Sequence, residues 1–218
     1  FTAGDWYSFD PCSNVESDPL WYAPDIIKRI LSSKVEHELA CHSFSHVDFY
    51  QCSREVARAE IRKCKEVMKD YGLEPKSFIF PRNHVKYLDV LAEEGFKTYR
   101  FKKLRRFNVR VNAVRRMMDF ISPITGVPIY SQGLMGLPGT LLFQSIDVGY
   151  VRKLEAAALK GIKKAVKRGE IFHITMHDYL ENDDLLASLY RIMEFAARLR
   201  DKGELEICTM ISYYEKYG

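Results

Sequence analysis

Apolar residues along this chain fall into alternating rhythms of helical and strand period, and the alternation itself predicts the architecture. Residues 21–31 read as a helix, with Pro24 near the first turn and Ile26, Ile27, Ile30 and Leu31 on one face. Ser53 is placed to cap a long helix whose apolar stripe is Val56, Ala59, Ile61, Cys64, Val67, Met68 and Tyr71, with Gly72 closing it. Ser77-Phe78-Ile79-Phe80 is a short buried strand stopped by Pro81. Tyr87, Leu88 and Leu91 lie on a short helix ending at Gly95, and residues 96–101 return to a strand. A long irregular stretch is expected over 102–149, with residues 126–139 as a loop over the site. Residues 151–167 are helical, 171–176 a strand, 185–199 an amphipathic helix ended by Gly203, 205–209 the last strand and 211–217 the last helix. Residues 1–4 look like the tail of a strand and 5–18 like a loop. Strands alternating with helices imply a parallel α/β fold.

Composition narrows this picture. A chain of 218 residues, 47% hydrophobic, suits one domain over 1–218 with a substantial core. The net charge of +4 does not argue for a nucleic-acid partner. No run reaches the roughly 18 uncharged apolar residues of a membrane helix, and no signal peptide is visible. The chain begins at Phe1 rather than Met, so a segment is expected upstream of it. Five scattered cysteines without a CxxC argue against a disulfide framework or a cysteine-only zinc site, and favour a reducing, cytoplasmic setting. The pairing left open is Cys12 with Cys41 or Cys52.

The candidate chemistry is concentrated in Glu36-His37-Glu38-Leu39-Ala40-Cys41-His42-Ser43-Phe44-Ser45-His46, which holds three of the six histidines. His42 and His46 stand four apart, so on a helical turn both imidazoles reach one metal ion. The apolar run before them and the helix after them are the layout of a strand end or βα loop. A second pair lies in Ile171-Phe172-His173-Ile174-Thr175-Met176-His177-Asp178. Strand alternation puts His173, Thr175 and His177 on one face, with His177 at the C-terminal end beside Asp178. A histidine there suits general acid–base work.

Together these residues resemble the polysaccharide deacetylases (NodB-homology domains, carbohydrate esterase family 4). His42-Ser43-Phe44-Ser45-His46 resembles their metal motif, and Glu38-Leu39-Ala40 the run leading into it. Phe1-Thr2-Ala3-Gly4, Phe78-Ile79-Phe80-Pro81-Arg82-Asn83, Ile171 to Asp178 and Leu205 to Met210 follow in the family's order. The resemblance implies a distorted barrel of seven β/α units whose first strand precedes Phe1. It implies metal-assisted hydrolysis of N-acetyl or O-acetyl groups on a carbohydrate, commonly with zinc. His42 and His46 would be metal ligands, and His177 and Asp178 would be catalytic, with His177 the acid toward the leaving amine. Arg82 would orient the base or bind substrate and His173 would line the pocket behind His177; Tyr130, on the loop expected over 126–139, is read separately as a sugar contact.

Three departures stand against the family pattern. Its first motif, carrying an aspartate ligand and the aspartate base, is absent, and is expected before Phe1. Ser8-Phe9-Asp10-Pro11 imitates it, but Asp10 is too close to His42 in the chain. The third-motif arginine aligns with Ile79, and Arg82 is displaced by three. Thr175 replaces the leucine two before the catalytic histidine. His37 reads as a surface or core residue, and His84 follows Asn83 in a loop able to line the site. Two other readings stay open: a degenerate glycan-binding relative, or a phosphate- or nucleic-acid-binding protein using the basic run 102–116.

Overall fold

The computed structural model describes residues 8, 10–103, 123–144, 148–177 and 183–218. Residues 1–4, the basic run beyond Lys103, and Asp178 lie outside the described residues. The chain divides into two compact units, Phe1–Glu38 and Leu39–Gly218.

In the first unit the expected helix is split into α1 (Pro19–Tyr22) and α2 (Pro24–Leu31). Pro24 has no N–H to continue a helix and drives the preceding residue out of the α region. Ala23 accordingly turns left-handed, at φ 34°.

The second unit follows the predicted alternation. α3 (Arg54–Lys69) starts where Ser53 accepts a hydrogen bond from the Val56 N–H, and it buries Ala57 and Ile61. β1 (Ser77–Ile79) leads through a tight turn at Pro81–Asn83 to α4 (Leu88–Glu93) and β2 (Thr98–Lys102). β3 (Ile129–Ser131), β4 (Leu134–Gly139) and β5 (Leu141–Leu142) follow, then α5 (Val148–Arg168). β6 (Ile174–Thr175), α6 (Asp183–Asp201) and α7 (Met210–Tyr217) complete the unit, with Thr209 and Ser212 forming a capping box on α7.

The larger sheet has the order β1-β2-β4-β3, parallel except for β3. Cys41 bridges to Phe78 in parallel, so His42 leaves the sheet beside the end of β1. β4 runs through Thr140 into β5, which pairs in parallel with β6. This is a mixed α/β fold with a parallel sheet and flanking helices. The described strands form two sheets, and a closed barrel of seven β/α units is not shown among them.

Three sequence expectations are corrected. First, residues 126–139 are not a loop but a hairpin and a buried strand. Gln132 and Gly133 have φ of 53° and 76°, the two positive values a tight hairpin turn requires. Gly136 and Pro138 disguised β4. A Cβ on Gly136 would lie 2.7 Å from the Tyr99 ring, so only glycine fits there. Met135 N–H donates to Lys97 O, just ahead of β2, so by alternation the Pro138 nitrogen faces the other side, beyond the end of β3, where no donor is needed. Second, residues 205–209 pair with no strand among the described residues. An extended segment without a ladder neighbour is not a strand. Third, Cys41 is disulfide-bonded to Cys64, while Cys12 and Cys52 are free thiols. Cys64 sits on the inward stripe of α3, over the segment that carries Cys41.

Two apolar clusters hold the unit. One joins α3, α4, β1 and β2 around Phe49, Phe78, Phe80, Phe96 and Tyr99; the other joins α5 and α6 around Phe143, Leu154, Ile162 and Ile192. In the first, Phe78 meets Phe49, Phe80 and Phe96 edge-to-face at 5.6, 4.8 and 5.5 Å between ring centroids. Phe78→Ala is expected to lower stability by about 3–5 kcal/mol, measured by urea unfolding, because it deletes both burial and three ring contacts.

Candidate functional site

The segment after Cys41 is a loop, not a helical turn. Ser43 and His46 take left-handed φ of 63° and 58°. Glu60, reaching from α3, holds this loop: it accepts from the Phe44 and Ser45 N–H groups at 3.0 and 2.7 Å and from the Ser45 hydroxyl at 2.6 Å. The left-handed bends do what a helix would have done. They bring the His42 and His46 rings to 5.0 Å between centroids, edge-on.

His42 is oriented from behind by the backbone. Its Nδ1 lies 2.6 Å from Ile79 O. A carbonyl only accepts, so Nδ1 carries the proton and Nε2 presents its lone pair outward. That is the arrangement of a metal-ligating histidine with an outer carbonyl partner. Burial lowers the His42 pKa most; the Ile79 bond raises it, and nearby His46, Arg100 and His177 lower it further. A neutral imidazole is the form a cation needs. Among the described residues no group of three or more His, Cys, Asp or Glu side chains is placed to hold a metal ion. The donor chemistry therefore fits a divalent cation at two positions, His42 and His46, of the three that a hydrolytic site uses.

Arg100 is the residue that sequence reasoning missed. It stands on β2 opposite Ile79 of β1. Strand alternation turns it away from Tyr99 and Phe101, which join the aromatic cluster. Its Nε and Nη2 donate to Asn83 Oδ1 at 3.2 and 3.0 Å, and its Nη1 donates to Thr175 Oγ1 at 2.9 Å. Both acceptors are neutral, and no carboxylate of the described residues lies within ion-pair reach. No local signal marks it, since β2 reads Thr-Tyr-Arg-Phe-Lys and its arginine stands two residues from Lys102.

Thr175 and His173 both face Arg100, as the alternation of 173, 175 and 177 predicts. Burial, followed by the Arg100 charge, lowers the His173 pKa to about 4. His177 follows β6 at the exposed rim and is close enough for its charge to act on His42. Arg82 and Asn83 are consecutive left-handed residues, with φ of 57° and 58°. Such strain on non-glycine residues collects at sites where the chain must aim a side chain. Asn83 is aimed at Arg100. Arg82 lies 3.8 Å from the Asp48 carboxylate. Tyr130 is exposed on the edge strand β3, opposite Met135 and level with Thr98 at the start of β2, whereas Arg100 is level with Leu137. The structure thus brings His42 and His173 within reach of the Arg100 charge, and His46 and His177 close to His42; it does not bring Tyr130 there.

The His173 shift fixes a pH dependence. In the unfolded chain this imidazole takes a proton near its ordinary 6.5, whereas the folded protein resists it until about pH 4. Stability from this group is complete above pH 6.5 and falls as pH drops from about 6.5 toward 4. His173→Asn is expected to flatten that part of the unfolding profile, read from urea midpoints across pH.

The polysaccharide deacetylase family model matches residues 12–99. The match includes His42, His46 and Arg82 and stops at Tyr99. No curated protein matches the chain. A solved structure similar to it is the Xyl-CE4 domain of a multidomain xylanase from the hindgut metagenome of Trinervitermes trinervoides, at 18% identity, covering 88% of this chain and 69% of that chain, with a TM-score of 0.48.

Proposed function

We propose that this protein is a metal-dependent carbohydrate deacetylase, hydrolysing N-acetyl or O-acetyl groups on a sugar. The observation that carries the reading is the paired His42 and His46, held by Glu60 and Ile79 O inside the segment that the polysaccharide deacetylase family model matches. His42 and His46 would hold a divalent cation, taken as zinc. When bound, such an ion polarises the acetyl carbonyl and acidifies water, which a poorly electrophilic amide needs.

The chain's own residues do the rest. His177 donates a proton to the leaving amine, assisted by Asp178 beside it. Arg100 ties the Asn83 turn to Thr175 and so sets the distance between the His42 side of the site and His177. His173, neutral by burial, lines the floor. Arg82 and Tyr130 remain candidates for sugar contacts, Tyr130 from the sheet edge. The domain reading is a single catalytic domain over residues 1–218.

The test is acetate release from N-acetylated oligosaccharides and from nucleotide sugars, with and without added zinc and after chelation. Metal-dependent release supports the reading. Glycan binding without release at any metal concentration would instead favour a non-catalytic relative. Arg100→Lys keeps the charge but cannot bridge two acceptors as a planar fork. It is expected to lower kcat by roughly tenfold to a hundredfold through misplacement of Thr175 and His177; equal kcat in steady-state assays would remove Arg100 from the site.

A further inference from the structure

The outer side of the α5–α6 pair carries two rows of side chains that neither the core nor the histidine site uses. The first row is cationic. α5 holds seven lysines and arginines against one carboxylate, Glu155, whereas the whole chain has a net charge of only +4. Glu155 does not neutralise them, because it pairs with Arg191 of α6 at 2.7 Å and accepts from the Ser188 hydroxyl at 2.7 Å. Lys153, Lys160 and Lys167 are exposed and form no ion pair among the described residues. They follow one another at a spacing of nearly two helical turns, so they make a straight row with a step of about 10 Å along the helix. Lys163 stands beside the row, its Nζ 5.5 Å from the centre of the Phe195 ring of α6.

The second row is apolar. Leu186, Tyr190 and Met193 share one face of α6 and are 40%, 68% and 56% exposed, whereas Leu185 and Ile192 of the same helix are buried in the cluster shared with α5. Both helices turn their inner faces to that cluster and touch through Glu155 with Arg191 and Lys163 with Phe195. The two rows therefore stand on the outer side of one helical layer. Glu194 is exposed on the same side, with Arg191 and Arg198 one turn before and after it. Together the rows select a partner. Unpaired ammonium groups alone suit any polyanion, nucleic acid included. A phosphodiester backbone, however, offers nothing to Leu186 or Met193. An anionic bilayer offers both: charged headgroups for the lysines and, just beneath them, acyl chains for leucine, methionine and a tyrosine ring. Lysine in the row, rather than arginine, agrees with a diffuse charged surface instead of a fixed planar acceptor. No helix of the described residues is long and apolar enough to cross a membrane, so the contact is peripheral.

We infer that the outer face of α5 and α6 is a docking surface for an anionic lipid bilayer, drawn in by the lysine row and anchored by Tyr190 and Met193. This surface stands independently of the deacetylase reading. The experiment is co-sedimentation of the full chain with vesicles of phosphatidylcholine alone and of phosphatidylcholine with about one-third phosphatidylserine. Binding is expected to the mixed vesicles and not to the neutral ones, and to weaken as salt is added. A lysine close to an anionic surface is worth about fivefold in affinity, so the triple variant Lys153→Gln, Lys160→Gln, Lys167→Gln is expected to bind roughly a hundredfold more weakly. Tyr190→Ser with Met193→Ser is expected to weaken binding about tenfold while the salt dependence stays. No sedimentation with the mixed vesicles overturns the surface, as does sedimentation that the lysine variant leaves unchanged. Full binding by the Tyr190 and Met193 variant also overturns it, because the contact is then not with acyl chains. So does binding to duplex DNA without binding to vesicles. A thermal melt checks each variant; if the Tyr190 and Met193 variant does not fold, the lysine variant, altered only at exposed positions, decides.

Discussion

His42→Ala and His46→Ala are each expected to abolish stoichiometric metal binding and to cut kcat/KM by roughly a thousandfold or more. The size follows from the chemistry: Lewis-acid assistance is worth several kcal/mol at the transition state, and each 1.36 kcal/mol is tenfold. Both side chains lie on the surface loop rather than in either apolar cluster, so neither change opens a core cavity, and stability is expected to stay within about 1 kcal/mol. That separates loss of a ligand from loss of the fold. Zinc titration calorimetry with a thermal melt on each variant is the measurement. Unchanged zinc stoichiometry in both would remove the pair from the metal site. A milder result is expected from Glu60→Gln, which keeps one accepting oxygen for the Ser45 loop but loses the second. Metal affinity should weaken there without vanishing.

Much of the fold was written in local chemistry. Ser53 and Gly72 marked the ends of α3, because a cap and a left-handed closing residue are local signals, but the predicted stripe was only partly right: Ile61, Cys64 and Met68 face inward, while Val56, Ala59 and Val67 are exposed and Ala57 is buried in their place. β4 was hidden because its two least strand-like residues are there for non-local reasons. Gly136 makes room for Tyr99, and Pro138 is tolerated only because β3 has already ended. Residues 205–209 erred in the other direction. Alternation can propose a strand, but a strand also needs a neighbour, which no local pattern supplies.

The site divides the same way. The spacing of His42 and His46 pointed correctly to a pair of imidazoles close together, yet for the wrong geometric reason. A helical turn was not needed, because two left-handed residues and a carboxylate from the next helix close the loop instead. Arg100 was not legible at all. Its role arises from register with Ile79 and from a bond to Thr175, 75 residues further along the chain. A displaced arginine at 82 drew attention in its place, although the guanidinium that joins the two sides of the site comes from the adjacent strand.

His177→Ala is expected to lower kcat by about a hundredfold to ten-thousandfold, the range of a lost general acid, while metal binding is retained. The geometry supports a role at the rim. Thr175, two residues earlier, is anchored by Arg100, and the His177 charge reaches His42, so the imidazole lies near the His42–His46 pair. A proton donor is needed only where the leaving group is a poor one. An amine expelled from an amide must be protonated, whereas an aryl oxide from an activated acetate ester leaves unaided. The loss in His177→Ala should therefore be large on N-acetylated sugar and less than about tenfold on an aryl acetate, comparing kcat on the two substrates. An equal loss on both would overturn the acid role, and loss of the metal itself would make His177 the third ligand that the described residues otherwise lack.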